Sequence, residues 1–205
     1  MLIQVKGAIL LLIVCFSISC SDDRTKLTPL KQDAVILAFG DSLTFGSGAN
    51  SATESYPAVL QQLSGRKVVN AGIPGEVSQV GLERLPDILS EEMPDLVILC
   101  HGGNDLIRKL GQQQLKNNLD QMISLIQRSG SQVVLIGVPN FNLMLKVPDL
   151  YLELAQDHKI PIQAEIIPQL ERSPKLKSDT IHPNAQGYHQ LAEHVQILLT
   201  ESGAL

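Results

Sequence analysis

Apolar and polar positions along the chain follow two periods. Residues 35–39 form an unbroken apolar run that ends in Gly40-Asp41-Ser42-Leu43. Similar short runs at 67–70, 95–100, 132–138 and 160–164 predict strands, and the almost wholly apolar 95–100 predicts burial on both faces of a sheet. The intervening stretches predict helices over 54–63, with Thr53 as a candidate cap, and over 76–89, with Pro86 near the end. Further helices are predicted over 112–128, 149–158 and 184–199. The clearest is 112–128, where Leu115, Leu119, Met122, Ile123 and Ile126 recur at helical spacing and Ser129-Gly130 stops the run. In the last helix Tyr188, Leu191, Ala192, Val195, Leu198 and Leu199 share one face.

Strands alternating with helices predict βαβ units, hence an α/β chain with a parallel sheet between helix layers. Right-handed crossovers put every strand-to-helix loop on one edge of that sheet, the edge outside which ligands bind. The 205 residues suffice for one domain with a real core, and no internal repeat or low-complexity stretch interrupts them.

The first residues follow neither period. Lys6 is the only charge before an almost wholly apolar run from 7 to 19, too short for a comfortable membrane span. The run ends Ser17-Ile18-Ser19-Cys20, which resembles the lipobox of bacterial lipoproteins. That resemblance implies a signal peptide over 1–19, cleavage before Cys20 and lipidation of that cysteine. Several acyl chains on one residue give stable anchoring. Residues 20–32 are then the lipidated cysteine and a polar tether, with a domain over 33–205. Ser21 rather than Asp after the cysteine fits outer-membrane sorting, so the expected location is the bacterial cell envelope, facing the periplasm.

Composition narrows the partners. Apolar residues make up 44% and charged residues 18%, as in an ordinary globular protein. A net charge of -5 supplies no basic patch to neutralise phosphates, which argues against nucleic acid. Aromatics amount to 3% and Trp is absent, so stacking platforms for bases or sugars are not expected. Of the three cysteines, two precede the domain, so Cys100 has no internal disulfide partner.

Four loops on the ligand edge hold unusual residues: Gly40-Asp41-Ser42-Leu43, Asn70-Ala71-Gly72-Ile73-Pro74-Gly75-Glu76, His101-Gly102-Gly103-Asn104-Asp105, and Asp179-Thr180-Ile181-His182-Pro183. A serine hydroxyl is a poor nucleophile until a base takes its proton. His182 can be that base, and Asp179, three residues earlier, can fix its tautomer and stabilise the imidazolium. Acyl transfer also needs donors for the developing oxyanion. The Asn104 amide and the Ser42 N–H can serve, and the glycine-rich second loop lets backbone approach. No Gly-x-Ser-x-Gly is present, so this is not the nucleophile elbow of an α/β-hydrolase. Nor does the loop 40–48 end in the Gly-Lys-Ser/Thr of a phosphate-binding loop.

In order and placement these blocks resemble the SGNH, or GDSL, hydrolase family, over about residues 34–199. Asn70 to Gly75, Gly81-Leu82-Glu83-Arg84-Leu85-Pro86 and His182-Pro183-Asn184 are most similar to its bacterial thioesterase, lysophospholipase and arylesterase subgroup. The resemblance implies a flavodoxin-like α/β/α sandwich with five parallel strands in the order 2-1-3-4-5. It implies Ser42, Asp179 and His182 as catalytic residues and Ser42, Gly75 and Asn104 as the oxyanion hole, with Gly72 as the fallback donor. It also implies that the loop 139–148 helps bind an acyl chain, through Phe141, Met144 and Leu145; packing against a neighbouring helix is the alternative.

The remaining polar residues have plainer readings. Asp41 is read as structural, because Asx side chains bond nearby backbone N–H groups. Asp105 is read as bonding backbone and holding Asn104 in place. His101 is read as a satisfied loop histidine, with lining of the site as the alternative. His158, His189 and His194 fall on helical segments, and no spacing suggests a metal, so neither metal nor cofactor is expected. Cys100 is read as a small buried hydrophobe. The expectation is a monomeric, lipid-anchored serine esterase acting on a small-molecule or lipid ester. The alternatives are a polysaccharide O-acetylesterase of the same superfamily and a non-catalytic envelope-binding lipoprotein.

Overall fold

The structure is a computed structural model that describes residues 25–205. The expected signal peptide, its lipobox and Cys20 lie outside the described residues.

Five strands form one parallel sheet: β1 (Val35–Gly40), β2 (Lys67–Gly72), β3 (Leu96–Cys100), β4 (Gln132–Ile136) and β5 (Ile162–Gln163), in the order β2-β1-β3-β4-β5. This is the expected order. Ile36 pairs with Val68 on one side and Leu96 on the other, and Leu96 pairs in turn with Gln132. The two central strands are buried throughout Ile36–Phe39 and Leu96–Cys100, which is why their sequences show no polar alternation. Burial also pushes the Cys100 thiol up, so it stays protonated and packs as a hydrophobe.

The helices are α1 (Ser42–Phe45), α2 (Tyr56–Ser64), α3 (Ser78–Glu92), α4 (Gly103–Arg108), α5 (Gln112–Arg128), α6 (Asp149–Asp157), α7 (Ile166–Arg172) and α8 (Ala185–Glu201). α2, α7 and α8 pack together on one face of the sheet, and α3, α5 and α6 on the other. α5 turns Leu115, Leu119, Met122, Ile123 and Ile126 wholly inward. Truncating Leu119 to Ala costs about 2–5 kcal/mol.

Several boundaries depart from expectation. α2 is capped by Ser55 rather than Thr53. The Ser55 hydroxyl accepts from Ala58 N–H, and Pro57 sits in the first turn, where its missing N–H costs nothing. α3 runs through Pro86 to Glu92, with Leu85 and Leu89 on its buried face. β5 is two residues long rather than five, a short edge strand pairing only Leu135 with Ile162 and Ile136 with Gln163. Residues 27–30, expected in the tether, belong to the domain: Leu27 N–H donates to Ser202 O at 2.7 Å and Leu30 N–H to Ala204 O at 2.8 Å. Leu30 is buried, so its apolar side chain gains by docking.

Candidate active site

Every strand-to-helix loop opens on the carboxyl edge of the sheet, so the four blocks meet there. Ser42 follows β1 directly. Asp41 caps the turn, its Oδ1 accepting from Leu43 N–H at 3.1 Å, which matches the structural role expected for it. Burial raises the Asp41 pKa against the lowering influence of His101 and His182.

The loop before α8 is braced from several sides. Ser178 N–H donates to His182 O at 2.9 Å, and the Lys177 ammonium donates to Thr180 O at 2.7 Å and to the buried Glu171 carboxylate at 2.6 Å. Asn184 caps α8 through Gly187 N–H and donates its amide to Lys175 O. Within this loop, Asp179 Oδ1 accepts from Ile181 N–H at 2.7 Å and from His182 N–H at 2.8 Å. Its Oδ2 lies 2.8 Å from His182 Nδ1. What burial the carboxylate has would raise its pKa, but these hydrogen bonds outweigh it and hold the group at about 2.

A carboxylate only accepts, so Nδ1 of His182 carries the ring proton. In the neutral ring Nε2 is then an acceptor. It stands 3.0 Å from Ser42 Oγ, in place to receive the hydroxyl proton.

Opposite lies Asn104, on the first turn of α4. Its Nδ2 donates to Glu76 O at 3.0 Å and, more weakly, to Asp41 Oδ2 at 3.4 Å. Gly75 has φ +79, and its carbonyl accepts from Arg108 Nη2 at 2.9 Å. Gly72, the fallback donor, is differently employed. Its N–H donates to Asn70 Oδ1 at 3.0 Å, and a Cβ there would lie 2.1 Å from Phe45 N. Gly72 is a close-packing glycine between β2 and α1.

The cleft between these groups holds about 200 Å³ and is lined by Ser42, Gly75, Asn104, Ile107, Phe141 and His182, among others. Of the three residues expected to meet an acyl chain, Phe141 lines it. Met144 is 75% exposed, Leu145 is half-buried with φ +48, and neither reaches the cleft wall. Grooves of about 520 and 540 Å³ elsewhere hold none of the four blocks' residues, so cleft size does not mark this site.

Two neighbouring residues settle differently. Asp105 bonds backbone, as expected, but does not hold Asn104. Its carboxylate accepts from Ser78 N–H at 2.8 Å and Ser78 Oγ at 2.6 Å, anchoring the start of α3. His101 is a satisfied histidine, as expected: it is wholly buried, with Nε2 beside Glu76 and Nδ1 accepting from Gly102 N–H, and the alternative of lining the cleft falls away. Glu76 and Arg84 stand in segments that carry the family resemblance, but the sequence assigns neither a role. Among the described residues, no three His, Cys, Asp or Glu side chains cluster as metal ligands would.

A sequence profile of the GDSL-like Lipase/Acylhydrolase family matches residues 38–190. The chain is 31% identical to Esterase TesA of Pseudomonas aeruginosa over 182 residues, covering 82% of this chain and 89% of the relative. It is 30% identical to an arylesterase of Vibrio mimicus over 171 residues, covering 78% and 85%. A crystal structure of TesA superposes with a TM-score of 0.73 at 28% identity, over 82% of this chain and 99% of that one. Sheet order, the convergence of the four blocks and these matches agree: the chain belongs to the GDSL-like lipase/acylhydrolase family.

Proposed function

We propose that this chain is a serine esterase that works through an acyl-Ser42 intermediate. His182 Nε2 takes the hydroxyl proton as Ser42 Oγ attacks the ester carbonyl. The carbonyl π pair moves onto oxygen, toward the Ser42 and Gly75 N–H groups and the Asn104 amide. Asp179 keeps Nδ1 protonated and offsets the imidazolium charge. The imidazolium then protonates the leaving alkoxide or phenoxide as the C–O bond breaks. Water, deprotonated by the same ring, attacks the acyl-serine; the acyl–Oγ bond then breaks, the imidazolium returns its proton to Ser42 Oγ, and the acid is released. The observation that carries this reading is the unbroken Asp179–His182–Ser42 sequence of contacts, at 2.8 and 3.0 Å.

The names of the relatives, arylesterase, esterase, and thioesterase 1/protease 1/lysophospholipase L1 in Escherichia coli, support carboxylic esters, lysophospholipids and thioesters as substrates. The small cleft takes the reacting ester and the first acyl carbons. A longer chain passes Phe141 toward Met144 and Leu145. Cleavage at a lipobox and lipidation of Cys20 would place this monomeric domain on a membrane of the cell envelope.

The test is a panel of p-nitrophenyl esters, acyl-CoA and lysophospholipid, with a fluorophosphonate as probe. Wild type should hydrolyse esters and label at Ser42. Ser42→Ala should fold, fail to label and lose nearly all activity. More than a few per cent residual activity would refute the nucleophile assignment, and a wild type that never labels would favour a binding lipoprotein.

A further inference from the structure

A buried ion cluster sits directly behind the oxyanion side of the cleft, and the reaction scheme above leaves it without a role. Glu76, with a side chain 2% exposed, follows Gly75 in the loop between β2 and α3. Arg84, from α3, grips it with both arms, Nε to Oε1 at 2.7 Å and Nη2 to Oε2 at 2.8 Å. The same Nη2 donates to Ala71 O at 2.8 Å and Gly40 O at 3.3 Å, and the guanidinium lies 4.0 Å from the Phe39 ring centroid. On the other side, His101 Nδ1 accepts from Gly102 N–H at 2.9 Å, which leaves the ring proton on Nε2, 3.1 Å from Glu76 Oε2. Gly81 makes room for this ring, since a Cβ there would lie 2.4 Å from Nε2.

Stability alone does not account for such a cluster. Desolvating charge costs several kcal/mol per ion, and apolar residues of similar volume commonly do as well or better. Burial alone would raise the Glu76 pKa, yet the hydrogen bonds from His101 and Arg84 outweigh it and hold the carboxyl below its ordinary range. What this cluster does that an apolar one could not is tie together the ends of β1 at Gly40, β2 at Ala71 and β3 at His101. Those three ends carry Ser42, Gly75 and Asn104. The backbone carbonyl of Glu76 accepts from the Asn104 amide at 3.0 Å, which fixes which way round that amide stands. Two residues on, Ser78 is pinned by Asp105, so the loop is held at both ends.

We propose that Glu76, clamped by Arg84 and His101, is a positioning residue for the oxyanion hole: it fixes where the Gly75 N–H and the Asn104 amide stand relative to Ser42. The proposal rests on the esterase reading of those three residues.

The experiment is steady-state kinetics on a short p-nitrophenyl ester, using Glu76→Gln alone and combined with Asn104→Ala. Loss of one oxyanion donor typically costs about 10²–10³ in kcat, so a misplaced donor should cost about 10–30-fold, with KM changed less than about threefold. In the Asn104→Ala background the same substitution should cost less, because one of the two groups it orients is gone. His101→Leu should mimic Glu76→Gln, and His101→Gln, whose amide can donate to Glu76, should restore most of the rate. If Glu76→Gln does not fold, the His101 pair decides on the same criterion. An unchanged kcat, equal losses in both Asn104 backgrounds, or a loss matching the unfolded fraction seen by circular dichroism would overturn the positioning role. A wild type that neither hydrolyses esters nor labels at Ser42 would take both readings down, whereas an active wild type with unaltered variants overturns this one alone.

Discussion

Nε2 of His182 stands 3.0 Å from Oγ of Ser42 across 140 positions of sequence. The two residues share no element. Ser42 hangs from the end of β1, and His182 from the loop that enters α8, which packs on α2. Their distance is therefore set by how α8 docks on the sheet, and the braced loop 177–183 transmits that docking to the ring. The predictions below probe this relation and its supports.

Asp179 should stay ionised through the working range of the enzyme. Its depressed pKa means the fold favours the carboxylate; that contribution is complete above its usual 3.8 and is lost as pH falls to about 2. The acid limb of kcat/KM should accordingly carry no ionisation from Asp179. Asp179→Asn should lower kcat by about 10²-fold or more by presenting the wrong tautomer. An acid-side ionisation that Asp179→Asn abolishes would contradict the assignment.

Removing the Asn104 amide should hurt the transition state and spare the fold. Asn104→Ala is expected to lower kcat about 10²–10³-fold. Thermal melting should move little, and fluorophosphonate should still label Ser42, more slowly. A rate within threefold of wild type would remove Asn104 from the oxyanion hole.

The two glycines of the second loop should fail in different ways. A Cβ at Gly72 meets Phe45 N at 2.1 Å and Thr44 C at 2.7 Å, so Gly72→Ala should destabilise by about 1–3 kcal/mol or more through overpacking. At Gly75 a Cβ comes no nearer than 3.7 Å, to Arg108 Nη2, but φ is +79. Gly75→Ala should cost about 1–2 kcal/mol of local strain, relieved by moving the donor, so activity should suffer more than stability. Urea unfolding together with kcat separates the two.

Replacing both Met144 and Leu145 with Ser should depress hydrolysis of long-chain esters more than of acetates. Met144 is largely exposed and Leu145 half-buried, so loss of stability should contribute little. The chain-length profile on p-nitrophenyl esters measures this, and an unchanged profile would confine acyl contacts to the cleft at Phe141.

The repeating strand–helix pattern, the buried character of 35–39 and 95–100, and the face of 112–128 were all readable from residues, because periodicity records which side of an element meets the core. The four blocks were readable too, since Ser, Asn, Asp and His gathered in loops at one sheet edge are the residue types that acyl transfer needs. The short α1, α4 and α7 were not. Four to seven residues cannot display a helical period, and such turns form only when the sheet edge and neighbouring helices hold them.

Residue types and their order along the chain thus determined the α/β class and the inventory of candidate reacting groups. Only the tertiary structure decided that Gly72 is packed against α1 while Gly75 has room, that Asp105 anchors Ser78 rather than Asn104, and that Glu76, Arg84 and His101 form one buried cluster. These are matters of angstroms between side chains distant in sequence, fixed by the packing of helices on the sheet, and no local pattern encodes them.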